Sequence, residues 1–164
     1  MTTTQVYLGV GSNIDRETNI RGGLAALKLL YGQLQISPVY ESKAFGFEGD
    51  DFFNLVVGFK TEFDIDEIEA QLKDIEFQFG RKPRETIYCP RTLDLDLLLY
   101  GDLICDKHEL PRIDIIKYAF VLKPLCDLVP DLIHLVENKT MSELWKKFDT
   151  SKQKINQISL SFNS

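Results

Sequence analysis

The sequence predicts a single α+β domain, and three observations carry that expectation. Apolar patterning up to Tyr100 switches between strand and helix periods in the order β-α-β-β-α-β, the ferredoxin-like arrangement of an antiparallel sheet with helices packed on it. Two of the segments repeat apolar residues at helical spacing and are followed by glycine. The 164 residues suffice for one sizeable core but not for two ordinary domains, so one domain over 1–164 is expected, with extra C-terminal elements.

Gln5 to Val10 reads as the first strand, closed by Gly11-Ser12-Asn13, residues that tolerate a tight turn. Ile20, Leu24, Ala25, Leu27, Leu29 and Leu30 predict a helix from about Asp15 to Tyr31, stopped by Gly32. Leu34 to Ser42 and Asn54 to Thr61 are β-rich, and the aromatic stretch between them is too long for a simple hairpin turn. Ile65, Ile68, Leu72 and Ile75 mark a second helix from about Asp64 to Phe79, with Asp64 as its cap and Gly80 beyond its end. A basic, unpatterned loop from Gly80 to Thr86 leads into the strand containing Leu97-Leu98-Leu99, which reads as buried on both faces and therefore interior to the sheet. Beyond Tyr100 the pattern predicts a short strand at Leu103-Ile104, a helix from Phe120 to Leu128 ended by Pro130, a helix from Ser142 to Phe148, and an apolar alternation at Ile158, Leu160 and Phe162.

Composition narrows the function. Hydrophobic residues make up 44% and charged residues 27%, the balance of a soluble globular protein. A net charge of −6 and a pI near 5.0 argue against nucleic acid as a partner, which would require a basic face to displace counterions. Three cysteines without a C-x-x-C pair fit a reduced compartment, and no basic leader or run of 18 apolar residues is seen, so a cytoplasmic protein without membrane association is expected.

The chemically loaded segment is Pro90-Arg91-Thr92-Leu93-Asp94-Leu95-Asp96-Leu97. On a strand Asp94 and Asp96 point to the same face, about 7 Å apart at Cα, while Leu93, Leu95 and Leu97 point to the other. Two facing carboxylates in an apolar strand need a nearby cation. Mg2+ fits, because it takes hard oxygen ligands and is commonly held by one or two carboxylates plus nucleotide phosphates. The blander alternative is a pair of charges that blocks edge pairing. Arg81, Lys82, Arg84 and Arg91 could supply counter-charge to a phosphate chain or simply be solvated. Phe45, Phe47, Phe52, Phe53 and Phe120 could line a heterocycle site or belong to the core. Gly9-x-Gly11 fails as a dinucleotide fingerprint, because Ile14 occupies the third glycine position, and reads as close helix-strand packing. His108 and His134 read as surface residues and Cys89 as a packing residue.

Together with Val10-Gly11-Ser12-Asn13, Ser37-Pro38-Val39-Tyr40-Glu41-Ser42, Phe53-Asn54, Ile75-Glu76, Gly80-Arg81 and Phe120-Val121-Leu122-Lys123-Pro124-Leu125, this segment resembles the 6-hydroxymethyl-7,8-dihydropterin pyrophosphokinases of folate biosynthesis, over about residues 5 to 135. The resemblance implies transfer of pyrophosphate from ATP to the pterin hydroxymethyl group, with release of AMP and with two Mg2+ held by Asp94 and Asp96. It implies Asn54 on the pterin ring, Phe52 and Phe120 sandwiching it, and Ser42 and Phe45 at its edge. Arg81 and Arg91 fall at catalytic arginines, and Lys73, Glu76, Arg84, Tyr88 and Arg112 fall on the nucleotide side. Small-molecule substrates and a monomer are implied as well.

Four places depart from the family pattern: Tyr88-Cys89 replaces Trp-Gly, Arg84 stands displaced in the loop, Arg112-Ile113 replaces His-Tyr, and Tyr118 replaces an arginine. These changes leave open a pterin-binding relative with little catalysis. A nucleotidyltransferase acting on nucleic acid is the third reading, disfavoured by the acidic pI.

Overall fold

The computed structural model describes residues 2–43, 51–80 and 93–160. Phe45, Arg81, Arg84, Tyr88, Cys89, Arg91 and Phe162 lie outside the described residues. The elements run β1 (Thr4–Ser12), α1 (Arg16–Tyr31), β2 (Gln35–Ile36), β3 (Val39–Ser42), β4 (Phe52–Thr61), α2 (Ile65–Gln78), β5 (Asp94–Tyr100), α3 (Asp114–Lys117), α4 (Ala119–Leu128), α5 (Met141–Lys147) and β6 (Ile155–Ile158). The antiparallel sheet has the order β5-β1-β4-β3-β6, with β2 also on β4. This is the ferredoxin-like order extended by a C-terminal strand.

Strand alternation sorts the sheet into two cores. Val6, Leu8 and Val10 of β1, Leu55, Val57 and Phe59 of β4, and Leu93, Leu95 and Leu97 pack under Ile20, Leu24 and Leu27 of α1 and Ile68, Leu72 and Ile75 of α2. The opposite face joins Tyr7, Val56, Leu98 and Leu99 to Ile115, Leu122, Leu125 and Met141 of the C-terminal helices. A bulge explains why adjacent leucines share this second core. Tyr7 pairs with Leu99 but Leu8 pairs with Leu97, so Leu98 is the extra residue and the side-chain phase flips beyond it.

Local signals fix the helix starts. Asp64 accepts from the Glu67 N–H at 2.8 Å while the Glu67 carboxylate accepts from the Asp64 N–H at 3.1 Å, a reciprocal cap on α2. Thr140 and Glu143 repeat the arrangement on α5.

Several sequence expectations are corrected. β5 lies at an end of the sheet among the described residues, although Leu95, Leu97, Leu98 and Leu99 are buried. Its rim is covered from the side: the Arg112 N–H donates to Leu98 O at 3.0 Å and the Leu95 N–H donates to Glu76 Oε2 at 2.8 Å. Leu103-Ile104 is not a strand. The chain there forms a small hairpin bridged at Cys105 and Leu110. The predicted Leu34–Ser42 strand breaks at Ser37-Pro38, where the Ser37 hydroxyl accepts from the Val56 N–H at 2.8 Å and proline has no N–H to offer. One-turn α3 was missed because four residues show no periodicity. His134 is buried at 3% exposure, its Nδ1 accepting from the Val136 and Glu137 N–H groups, and burial lowers its pKa. His108 packs against α2. No helix among the described residues is long and apolar enough to cross a membrane.

Glu76 is buried at 8% exposure, so removing its carboxylate leaves the Leu95 amide without that acceptor. Glu76→Ala is expected to lower stability by about 1–3 kcal/mol. Chemical denaturation without nucleotide checks this, and unchanged stability would refute a structural role for Glu76.

Candidate active site

The second face of the sheet leaves a hollow where side chains are missing. Gly11 stands opposite Asp94 on one side and Asn54 on the other, and Gly9 stands between Asp96 and Val56. Two glycines two residues apart thus make a bare floor between a strand of carboxylates and a strand carrying an amide. The fit is close: a Cβ on Gly11 would lie 2.5 Å from Asn54 Oδ1. Close helix-strand packing, expected for these glycines, is not their role here, because they floor a cavity of about 320 Å³.

One wall of the cavity is Asp94, Asp96, Arg112 and Asp114, and the other is Ser42, Phe52 and Asn54. Asn54 Nδ2 points to Ser42 Oγ at 3.5 Å. Tyr118 and Phe120 close the hollow from above, their rings stacked at 5.0 Å. The C-terminal segment holds this pair. Gln153 accepts from the Ala119 N–H at 2.9 Å and donates to Lys117 O at 3.0 Å, bracketing the turn into α4. Phe120, Ser42 and Lys43 also border a second hollow of about 390 Å³ lined by Ser151 to Asn156.

Negative charge is concentrated on the carboxylate wall. Burial, then the Asp94 carboxylate, push the pKa of Asp96 up to about 7, with Asp114 and Glu76 adding to the rise and Arg112 opposing it. Arg112 lies 3.6 Å from Asp96 and 3.2 Å from Asp114. Burial works against its charge, yet these carboxylates outweigh burial and raise its pKa. Oxygen donors on one face, carrying more anionic charge than Arg112 offsets, are the donor set that Mg2+ prefers.

The structure therefore brings Ser42, Phe52, Asn54, Asp94, Asp96, Arg112 and Phe120 together. Glu76 sits behind the carboxylates on Leu95, and Lys73 is exposed on α2; neither lines the cavity. Sequence reasoning missed Gly9, Gly11, Asp114 and Gln153. Alternate glycines inside a strand were the available signal for the floor, whereas nothing in the pattern marked Asp114 or Gln153.

A family model described as 7,8-dihydro-6-hydroxymethylpterin-pyrophosphokinase (HPPK) matches residues 7–130. The chain belongs to the HPPK family. It is 37% identical over 142 residues to the 2-amino-4-hydroxy-6-hydroxymethyldihydropteridine pyrophosphokinase of Aquifex aeolicus, covering 84% of this chain and 88% of that one. The Pseudomonas aeruginosa pyrophosphokinase is 36% identical over 149 residues, with 85% and 89% covered. Among solved structures, a Plasmodium falciparum HPPK-DHPS triple mutant superposes with a TM-score of 0.69 at 16% identity, over 89% of this chain. At that identity the likeness shows the HPPK fold alone, and the chain spans 44% of that longer one.

The raised Asp96 pKa sets a pH dependence for the metal-free HPPK domain. The folded state binds this proton more tightly than the unfolded chain, so the contribution to stability is fully present below the ordinary 3.8 and is lost as pH rises through about 7. Asp96→Asn cannot ionise. With the side chain one-third exposed, the variant is expected to be about 1 kcal/mol more stable than the parent at about pH 8, and to lose this advantage at about pH 4. Thermal unfolding in a chelator at the two pH values tests this, and an equal difference at both would contradict the assignment.

Proposed function

We propose that this chain works in folate biosynthesis, transferring pyrophosphate from ATP to 6-hydroxymethyl-7,8-dihydropterin to give AMP and the pterin diphosphate. The observation that carries this reading is the two-sided cavity: carboxylates and a guanidinium face an amide and aromatic rings across a glycine floor. A polyphosphate with its cation suits one wall and a flat heterocycle suits the other.

The residues divide accordingly. Phe52 and Phe120 sandwich the pterin ring, Asn54 hydrogen-bonds it, and Ser42 meets its edge. Asp94 and Asp96 would hold Mg2+, two ions in this reading, which would supply charge neutralisation for the phosphate oxygens. Arg112 offers the nucleotide phosphates a fixed charge, pre-positioned by Asp114 and by its own N–H on Leu98. The pterin hydroxyl oxygen bonds to the β-phosphorus and gives up its proton to solvent, the bond from that phosphorus to the α–β bridging oxygen breaks, and AMP departs. The chain contributes in-line positioning and preorganised charge.

Arg81 and Arg91 as catalytic arginines, Arg84 and Tyr88 toward the nucleotide and Phe45 at the pterin edge rest on the family resemblance. Lys73 is assigned to the nucleotide on the same ground, and Glu76 acts behind the site by fixing Leu95. The chain is further proposed to be one domain, monomeric and cytoplasmic.

Product analysis with ATP, Mg2+ and the reduced pterin tests the reaction. AMP and pterin diphosphate in equal amounts are expected. Pterin binding without AMP would leave only a binding module, and release of pyrophosphate would indicate nucleotidyl transfer. Asp94→Asn is expected to lower turnover by about 100-fold or more while pterin affinity in calorimetry stays near that of the parent. Undiminished turnover would sink the metal assignment.

Gly11→Ala tests the floor from the other side. The added methyl group drives against Asn54 Oδ1, so pterin affinity is expected to fall by about 1–3 kcal/mol. Calorimetry with the pterin decides, and an unchanged affinity would remove Asn54 from the pterin contact.

A further inference from the structure

Outside the cavity, the tip of the hairpin bridged at Cys105 and Leu110 lies against the first turns of α2. Asp66 and Glu69, three residues apart on that helix, meet His108 from the hairpin. His108 Nδ1 contacts Glu69 Oε1, and His108 Nε2 lies 3.8 Å from Asp66 Oδ1. One ligand atom from each of the three residues falls within 4.8 Å of the others, and none of the three lines the active-site cavity.

An imidazole between two carboxylates is incomplete as it stands. The neutral ring carries one N–H, which serves one carboxylate and leaves the other nitrogen presenting a lone pair to an anion. Neither carboxylate is needed to cap the helix, because Asp64 and Glu67 fill that role. The hairpin is not free to swing its histidine away. Cys105 and Leu110 exchange both backbone hydrogen bonds at 2.9 Å, Leu110 is 3% exposed, and His108 itself is only 16% exposed at the side chain. A cation among the three groups satisfies them together.

We infer that Asp66, Glu69 and His108 form a second divalent-cation site, of the zinc class, separate from the Asp94/Asp96 pair. One nitrogen and two carboxylate oxygens are a donor set for Zn2+ or Co2+, whereas Mg2+ prefers oxygen alone. Tetrahedral Zn2+ spaces its ligands about 3.3 Å apart, given bonds of about 2.0 Å. Asp66, 84% exposed, is free to rotate inward and close the set, with water as the fourth ligand. The bound ion staples the hairpin tip to α2. The chain then runs from this tip through Pro111 to Arg112, whose N–H is fixed on Leu98 and whose guanidinium faces Asp96. Occupancy therefore tethers both ends of the short segment that presents Arg112 to the active site.

Zn2+ titration of the full chain in millimolar Mg2+, followed by calorimetry and thermal unfolding, tests the inference. The Asp94→Asn/Asp96→Asn double variant removes the other carboxylate site and is expected still to bind one equivalent of Zn2+, with a rise in melting temperature. Asp66→Asn and His108→Gln are each expected to weaken this binding by about tenfold or more and to abolish the rise. The exposed position of Asp66 guards against a folding defect, which melting without Zn2+ also reports. Absence of Zn2+ binding in the double variant would overturn the inference. Undiminished binding in both Asp66→Asn and His108→Gln would overturn it as well.

Discussion

Crowding of carboxylates at the head of β5 is the constraint around which the rest of the site is arranged. Asp94 and Asp96 come from the strand, Asp114 from α3 and Glu76 from α2, and Arg112 is the guanidinium set among them. Each neighbour limits the cost differently. Glu76 is satisfied by a backbone N–H, and Asp114 by the Arg112 Nε, so their charges are held by hydrogen bonds. Asp96 has Arg112 only at 3.6 Å and carries the cost as a raised pKa. A cation bound beside such a group would convert that repulsion into an attraction.

Backbone devices make room for that charge. Without glycine at positions 9 and 11, side chains on β1 would fill the space between the β5 carboxylates and the β4 amide. The bulge at Leu98 lets the same strand present carboxylates at one end and two core leucines on the same face at the other. Polar floor and apolar anchor thus share one face of one sheet.

The order of elements was legible because it rests on local periodicity: Ile65, Ile68, Leu72 and Ile75 could hardly be read otherwise, and Asp64 caps α2 as expected. Long-range geometry was not legible. Burial on both faces of Leu97-Leu98-Leu99 suggested an interior strand, but an end strand reaches the same burial when a helix side chain and a following loop cover its rim. The shared face of Asp94 and Asp96 follows from strand alternation alone, so it could be derived. The convergence of Asn54, Phe52 and Ser42 on that face was supplied by resemblance, since no pattern in one chain states which strands will neighbour each other. His108 and His134 were misplaced for a related reason. Polar neighbours in sequence do not reveal a partner 39 residues away, as Glu69 is from His108.

The C-terminal segment shows how a site can depend on chain outside its recognisable motifs. The family match ends at residue 130, yet β6 extends the sheet beside β3, and Gln153 ties Lys117 to Ala119. That tie flanks Tyr118 and Phe120, the rings that close the cavity. A glutamine amide can accept and donate at once, and here it spans the point where α3 ends and α4 begins, a junction with no periodicity of its own. Tyr118 is stacked on Phe120, so the pair presents aromatic rings above the floor. The cavity accordingly has an aromatic roof, tied to the C-terminal segment, above an acidic wall. Among the described residues lining the cavity, Arg112 is thus the one guanidinium, set against that acidic wall.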